Sequence, residues 1–551
     1  MERRKFGLSV TRVYCREIKL IRAVKPLAVV LTSLWIAGLR FLAVTIVLAG
    51  FLREAGAQHD GARDAVQQIA LERFGKIDQI LENKKPFAGE SEAAFVKMLQ
   101  ALAENDIDTA MSHARHAVDL GIPVERLLVG PRELLGQLHQ HPAFTDWMQQ
   151  TEQSSLVHGP MVGSMTDHSA SVWLRTLNDA KVVLTCLETG QKVTAQTDQN
   201  RDWTAVLSFD GLKSDQQYQY TVEVDGKICA KSKFKTFCDQ GKGGKFSVGF
   251  GGGAGFVPEW EKMWQTVLSR QPNAFLMMGD NVYIDQPEHS LTQRYCYYRR
   301  QSRPEWRELI SQTPMYSIWD DHDFGTNDCV PGPEIDHPPW KRSVWEVFQQ
   351  NWVNPSYGGG AENPGCWYEF HVGDVHFIML DGRYYRDLKG GSMLGPVQKK
   401  WLLQTLQRSQ ATFKVIASPV PFTAGIKKGS RDPWDGFPEE REELFKWIET
   451  QRIEGVFLIA ADRHRTDLRV TQRPDAYDLY EFESSRLTNH HVHGVVKSEG
   501  LIWGYNDTCS YALMSFETDL PDPQVTFECI DLEGETKYRH LLKRSQLEFK
   551  K

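Results

Sequence analysis

The chain has 551 residues, with 64 Lys plus Arg against 71 Asp plus Glu, a formal charge of −7, and 41% hydrophobic, 11% aromatic and 25% charged residues. That balance excludes a wholly disordered chain, a collagen and a polytopic membrane protein, and the length suits three or four domains. A slightly acidic chain has no overall electrostatic reason to hold nucleic acid, so no nucleic-acid recognition is expected.

The first element is read as an export signal over residues 1–57. Arg3, Arg4, Lys5, Arg12, Arg16, Lys19, Arg22 and Lys25 precede an apolar run from Leu27 to Leu52, broken only by Arg40. Ala55-Gly-Ala57 then supplies a small-residue cleavage pattern. A basic segment, an apolar stretch and a small-residue site are the three parts of a secretory signal. The competing reading is an uncleaved anchor, against which Arg40 counts about 2.5–3.5 kcal/mol. The protein is therefore expected outside the cytoplasm: periplasmic, extracellular or anchored facing outward. Membrane contact is expected only through this segment, if it is uncleaved. Export permits disulfides among the eight Cys that follow Cys15, with buried thiols as the alternative.

Residues 58–153 read as a helical region. Ala65, Ile69, Phe74, Ile77 and Ile80 recur at helical spacing, and Ala94–Ala103 and Thr109–Val118 continue the pattern until Gly121-Ile-Pro123. No chemistry is legible there. Over residues 154–239 the period changes to two. Ala170–Arg175, Lys181–Cys186, Trp203–Phe209, Tyr218–Val224 and Lys231–Phe237 read as strands, with turns at Asp210-Gly211 and Asp225-Gly226. Short strands at this spacing predict a β-sandwich.

From 245 to 535, apolar strand-like runs alternate with helical stretches, which predicts an α/β layered domain. Phe246–Phe250, Ala274–Met278, Met315–Trp319, Val375–Leu380, Lys414–Ala417 and Gly455–Ala460 are the strands. Polar clusters follow four of them: Gly279-Asp-Asn-Val-Tyr-Ile-Asp285, Trp319-Asp-Asp-His-Asp323, Leu380-Asp-Gly-Arg-Tyr-Tyr-Arg386 and Asp462-Arg-His464. Such sheets place ligands at strand ends. A buried charge is costly unless it is paired or metal-bound. Several Asp with His and Tyr beside them therefore imply a shared cation, of the kind oxygen donors and imidazoles hold: iron, manganese, zinc or calcium.

These motifs, with Leu394-Gly-Pro-Val-Gln-Lys-Lys-Trp401, resemble the set found in the PhoD-like (alkaline phosphatase D) metallophosphatases. The preceding strands, ending Phe234-Lys-Thr236, resemble that family's fibronectin type III-like module. The resemblance implies a calcineurin-like four-layer αββα core with two or more metal ions, iron plus calcium, with manganese or zinc as alternatives. Carried onto this chain, it makes Asp280, Tyr283, Asp321, Asp462 and His464 metal ligands. His322 becomes an acid or transition-state stabiliser, and Arg383 a residue that holds a phosphate oxygen. The implied activity is hydrolysis of phosphomonoesters or phosphodiesters by a metal-bridging hydroxide. One stretch departs from the family: Val248-Gly-Phe-Gly-Gly-Gly-Ala-Gly255 stands where a ligand side chain, often Cys, is usual. The alternative function is therefore a non-catalytic or altered-metal envelope protein that keeps the fold. Glu259 is weighed as a compensating ligand and read as a solvated helix-start residue. His490-His-Val-His493 is read as an exposed polar loop rather than a metal pair, and Trp434 as either substrate-stacking or packing.

Overall fold

A computed structural model describes residues 61–83, 89–151 and 153–550. The N-terminal export reading lies outside the described residues. Among those described, no helix is long and apolar enough to cross a membrane.

The helical region is a run of short amphipathic helices, from Gly61–Ala70 to Pro142–Gln149. Glu90–Ala103 and Ile107–Asp119 pack apolar faces that bury Phe95, Leu99, Leu102, Ala110 and Ala114. Asp106 caps the second of these, its carboxylate accepting the Thr109 N–H.

The next strands form two antiparallel sheets. One orders Lys192–Thr197, Ala180–Cys186, Gln217–Val224 and Lys227–Lys235; the other carries Leu156–Gly163, Ser169–Thr176 and Thr204–Asp210. Phe209 of one stacks on Phe234 of the other at 6.2 Å. Tyr218 accepts the Lys213 N–H through its hydroxyl at 2.8 Å, tying the turn back onto its strand. The second sheet does not end there. Gly163 pairs in parallel with Met315, so these three strands extend the first sheet of the α/β unit to nine strands. Reading the two segments as successive domains does not foresee this, because pairing between distant strands leaves no periodicity in the sequence.

The α/β unit has two mixed sheets. In the nine-stranded one, Lys245–Gly251, Ala274–Met278 and Met315–Ile318 run parallel, with helices in the connections. In the seven-stranded one, Val375–Met379, Phe413–Ala417, Val456–Ala460 and Leu479–Ser484 run parallel. Their connections include the helices Gly395–Arg408 and Pro438–Thr450. A parallel pair needs such a crossover, and its strands are apolar throughout because both faces are covered. The sheets meet through Phe377 and Phe413 against Phe516, and Phe482 against Phe527. The eight Cys from Cys186 to Cys529 are thiols.

Candidate metal centre

Three of the polar clusters leave parallel strands at the same end of the two sheets. Ala274–Met278 delivers Gly279 and Asp280; Met315–Ile318 delivers Asp320, Asp321 and His322; Val456–Ala460 delivers Asp462 and His464. Asp321–Phe324 is not a strand end but a single helical turn, closed by reciprocal bonds between Asp320 and Asp323. Asp280, Tyr283, Asp285, Asp462 and His464 all have φ between +48° and +69°. Non-glycine residues reach that region at a cost of about 1–3 kcal/mol each, and such strain gathers where a site fixes it.

The gathering is tight. Tyr283 Oη lies 2.9 Å from both Asp280 Oδ2 and His464 Nε2, and His464 Nε2 is 3.8 Å from Asp280 Oδ2. His464 Nδ1 faces the His491 carbonyl at 3.2 Å. A carbonyl only accepts, so Nδ1 carries the proton and Nε2 presents its lone pair to the cluster. One phenol proton cannot serve both that lone pair and the Asp280 carboxylate. Asp280, Asp321 and His322 likewise bring ligand atoms within 4.8 Å of one another, as do Asp321, Asp328 and Asp432. Asp280 Oδ1, Asp320 Oδ2, Asp321 Oδ1 and Asp432 Oδ2 are buried without a hydrogen-bond partner. These residues fit metal ions: hard oxygen donors, one phenol and a bare imidazole nitrogen, with unsatisfied acceptors facing inward.

The electrostatics agree. Burial, then the like charges of Asp321, Asp320 and Asp323, push the Asp280 carboxyl well above the carboxylate range, against the pull of His322. Burial and the neighbouring Asp280 raise the Tyr283 phenol. Burial lowers the His464 imidazole, and His491 and His493 lower it further. His322 goes the other way. Burial pulls it down, but the charges of Asp285, Asp321 and Asp280 together hold it well above its ordinary value.

His322 is held from behind. Its Nδ1 lies 2.5 Å from Asp285 Oδ1, and its ring stacks on Tyr283 at 4.7 Å. Asp285 is gripped in turn by Arg63, whose Nη1 donates to Asp285 Oδ2 at 2.6 Å and to the Ile284 carbonyl at 3.1 Å. Arg63 is almost fully buried and comes from the helix Gly61–Ala70. The helical region thus reaches the site, contrary to the expectation that no chemistry lies there. Nothing local in the sequence marks it, since the partners stand 222 residues apart.

Arg383 is fully buried and locked among acids. Its Nε pairs with Asp320, its Nη1 donates to Asp432 Oδ1 at 2.6 Å, and its Nη2 lies 3.5 Å from Asp321 Oδ1. Arg386 shares the same Asp432 oxygen at 2.6 Å. Asp462 sits beside Arg463 at 3.2 Å, which with Lys427 holds its carboxyl below the usual range despite burial. Asp323 accepts the backbone N–H groups of Asn281 and Val282, fixing the Gly279–Tyr283 turn. Trp434 resolves as packing: it is fully buried, stacked on Phe422 at 4.8 Å, and donates to Ser418 Oγ. Glu259 is exposed and supplies no ligand.

Two expectations change. The loop 490–493 is irregular, but only His490 and Val492 point outward. His491 and His493 turn in toward His464, their ring centroids 5.0 and 5.5 Å from its own. The glycine run packs backbone against backbone. A Cβ on Gly252 would lie 2.6 Å from that of Ala461, and one on Gly253 would lie 2.9 Å from the Arg486 nitrogen and 3.6 Å from Tyr283 Oη. The run therefore lines the site without contributing a side chain to it.

Residues 248–501 match the family model described as PhoD-like phosphatase. Residues 153–240 match a domain of unknown function, DUF7800. The chain is 23% identical over 227 residues to alkaline phosphatase D of Bacillus subtilis (strain 168), a match covering 35% of this chain and 39% of that relative's length. In fold it resembles a solved structure of PhoD, with TM-score 0.62 and 16% identity over 73% of this chain and 93% of that one. It also resembles the purple acid phosphatase PPD1 from yellow lupin (Lupinus luteus) seeds, with TM-score 0.54 and 11% identity over 70% and 75% of the two chains.

Proposed function

We propose, for a chain that belongs through residues 248–501 to the PhoD-like phosphatase family, that it is a metal-dependent phosphoesterase acting on phosphomonoesters or phosphodiesters. The observation that carries this reading is the set of unsatisfied buried carboxylate oxygens on Asp280, Asp320 and Asp321, gathered with Tyr283 and a bare His464 nitrogen at the ends of parallel strands. An arrangement like that is unstable as a self-contained acid cluster and complete with cations in it.

Asp280, Tyr283, Asp321, Asp462 and His464 would hold the ions, and iron with calcium remains our reading of the oxygen-rich part. Bound cations supply two things to phosphoryl transfer: acidification of a coordinated water and neutralisation of charge on the phosphoryl oxygens. The protein's own work is proton placement and positioning. Asp285 fixes the His322 ring through Nδ1, which leaves Nε2 to hold a proton for the leaving alkoxide. The charges of Asp285, Asp321 and Asp280 raise the imidazole's affinity for that proton above its ordinary value, the direction an acid requires. Arg383, buried among Asp320, Asp321 and Asp432, acts by fixing those carboxylates. We read it as a positioning residue in place of the expected phosphate contact. Lys427, 2.8 Å from Asp328 and 3.6 Å from Asp432, balances the same acidic rim.

The test is hydrolysis of bis-p-nitrophenyl phosphate and p-nitrophenyl phosphate by the purified chain. Turnover is expected, with loss on chelation and recovery when metal is returned. Turnover undiminished in stripped protein, or none in metal-replete protein, would overturn the reading.

A further inference from the structure

The segment 485–493 lies directly on the glycine run. Gly252 bridges to Ser485, Leu487 N–H donates to the Gly252 carbonyl at 3.0 Å, and Thr488 Oγ1 donates to the Gly255 carbonyl at 2.6 Å. A Cβ on Gly253 would lie 2.9 Å from the Arg486 nitrogen, and one on Gly255 would lie 3.0 Å from Asn489 Cγ. A side chain at 253 would collide with the backbone of this segment, and one at 255 would press on Asn489. What the glycines give up in donors they return in room, and that room seats the loop that carries His491 and His493.

The two imidazoles are placed as a pair. Their Nε2 atoms stand 3.2 Å apart and their rings are nearly perpendicular, at 84°. His464 completes a set whose ligand-capable nitrogens all lie within 4.8 Å of one another. Two nitrogens bound at about 2.0–2.1 Å to one tetrahedral ion lie roughly 3.4 Å apart, close to the spacing observed. His464 belongs to this set and to the Tyr283–Asp280 cluster at once. The donors are thus sorted: carboxylates on one flank, imidazoles on the other.

We infer that His491 and His493, together with His464, form an imidazole-rich site for a divalent transition-metal ion of the zinc class, seated by the glycine run in place of a ligand side chain from that run. Imidazole suits zinc and its neighbours, whereas carboxylate-only positions suit calcium or magnesium. The site is then of unequal halves, a nitrogen-rich position beside an oxygen-rich one. The inference rests on the reading of His464 as a ligand in the proposed phosphoesterase.

The experiment uses the full chain as purified, its metal content measured by mass spectrometry and its nitrogen shell by X-ray absorption at the metal edge. Zinc ion is then titrated into protein from which weakly held metal has been dialysed. The His491→Ala/His493→Ala protein is expected to lose about one equivalent of transition metal per chain and to bind zinc at least tenfold more weakly. Its calcium or other hard-ion content is expected to stay at the wild-type level. His491→Asn/His493→Asn should behave like the alanine pair, and melting curves of the metal-free proteins should coincide, which separates ligand loss from misfolding. Equal zinc affinity and an unchanged absorption spectrum in both double variants would overturn the inference while leaving the phosphoesterase reading intact. Zinc held by all three imidazoles in a protein without phosphoesterase turnover would overturn that reading and support the site.

Discussion

Two buried polar clusters in this molecule are built on opposite terms. One lies where the strands Leu156–Gly163 and Ser169–Thr176 meet the helices of the α/β unit. Arg175 donates to His158 Nδ1 at 2.7 Å, to Asp202 Oδ2 at 2.8 Å and to Asn351 Oδ1 at 3.0 Å. Asp202 also accepts the Tyr298 hydroxyl, and His158 Nε2 meets Ser302 Oγ at 3.0 Å. One cation faces one anion there, and every named group has its partner. At the strand ends, by contrast, Asp280, Asp320, Asp321, Asp323, Asp432 and Asp462 crowd around Arg383, Arg386, Lys427 and Arg463, and four carboxylate oxygens stay unsatisfied. A closed network specifies a structure; an anion-rich one with orphaned acceptors is unfinished without a ligand. Function is therefore expected to respond to changes in the strand-end cluster, and folding to changes in the junction.

The largest effect is expected at the unfinished cluster. His322→Ala should lower turnover by about 10²–10⁴-fold, the scale of general acid catalysis, with metal content unchanged by elemental analysis. Asp285→Asn, which keeps the shape but removes the charge behind the ring, should cost roughly 10–100-fold, as losses behind a functional histidine do. Wild-type turnover in His322→Ala would leave that histidine a purely architectural role and blur the contrast between the clusters.

The closed cluster should respond the other way round. Arg175→Met leaves Asp202 buried with its cation gone, a change worth about 3–5 kcal/mol of stability. It should lower the urea midpoint while the activity of the folded fraction stays at wild-type level. A loss of kcat per folded molecule would show that the junction, too, feeds the site.

The contrast also explains what the sequence could and could not disclose. Ala274–Met278 was legible to the residue, because a short apolar run ends abruptly at Gly279-Asp280. The same signature exposed Asp321 and His464, each set just past a buried strand. Strands such as Ser510–Glu517 and Thr536–Lys543 lie beyond the last motif, and no polar cluster marks the late antiparallel edge of the sheet. Partnership is unmarked as well. Arg383 carries the sequence context of an anion binder, but its guanidinium is engaged by Asp320 and Asp432, 63 and 49 residues away. Arg63 looks like one polar position on an amphipathic helix until Asp285 is placed against it. His491 and His493 had only their H-x-H spacing to recommend them, and turn-like neighbours argued for exposure. Burial of an irregular loop depends on what it lies on, here a floor of glycines, and no local pattern encodes that.

The smallest effect separates the clusters by pH. His158 is fully buried beside Arg175, with Arg307, Arg126 and Arg132 farther off, its ring tilted against that of Tyr298 and Ser302 at its Nε2. Burial first, then those guanidinium charges, hold its pKa well below 6.5. In the unfolded chain the same imidazole takes a proton near pH 6.5. Between the two values the unfolded state binds the extra proton, so stability drains away as pH falls below about 6.5 and is fully present above it. The slope is one proton at most, about 1.4 kcal/mol per pH unit. His158→Gln keeps polar atoms in the pocket but cannot titrate. Urea midpoints measured from pH 7 to pH 5 should therefore fall less steeply in the variant than in the wild type. Parallel slopes would mean that His158 takes up its proton at the same pH in the folded protein as in the unfolded chain, and the junction would no longer be the closed counterpart of the strand-end cluster.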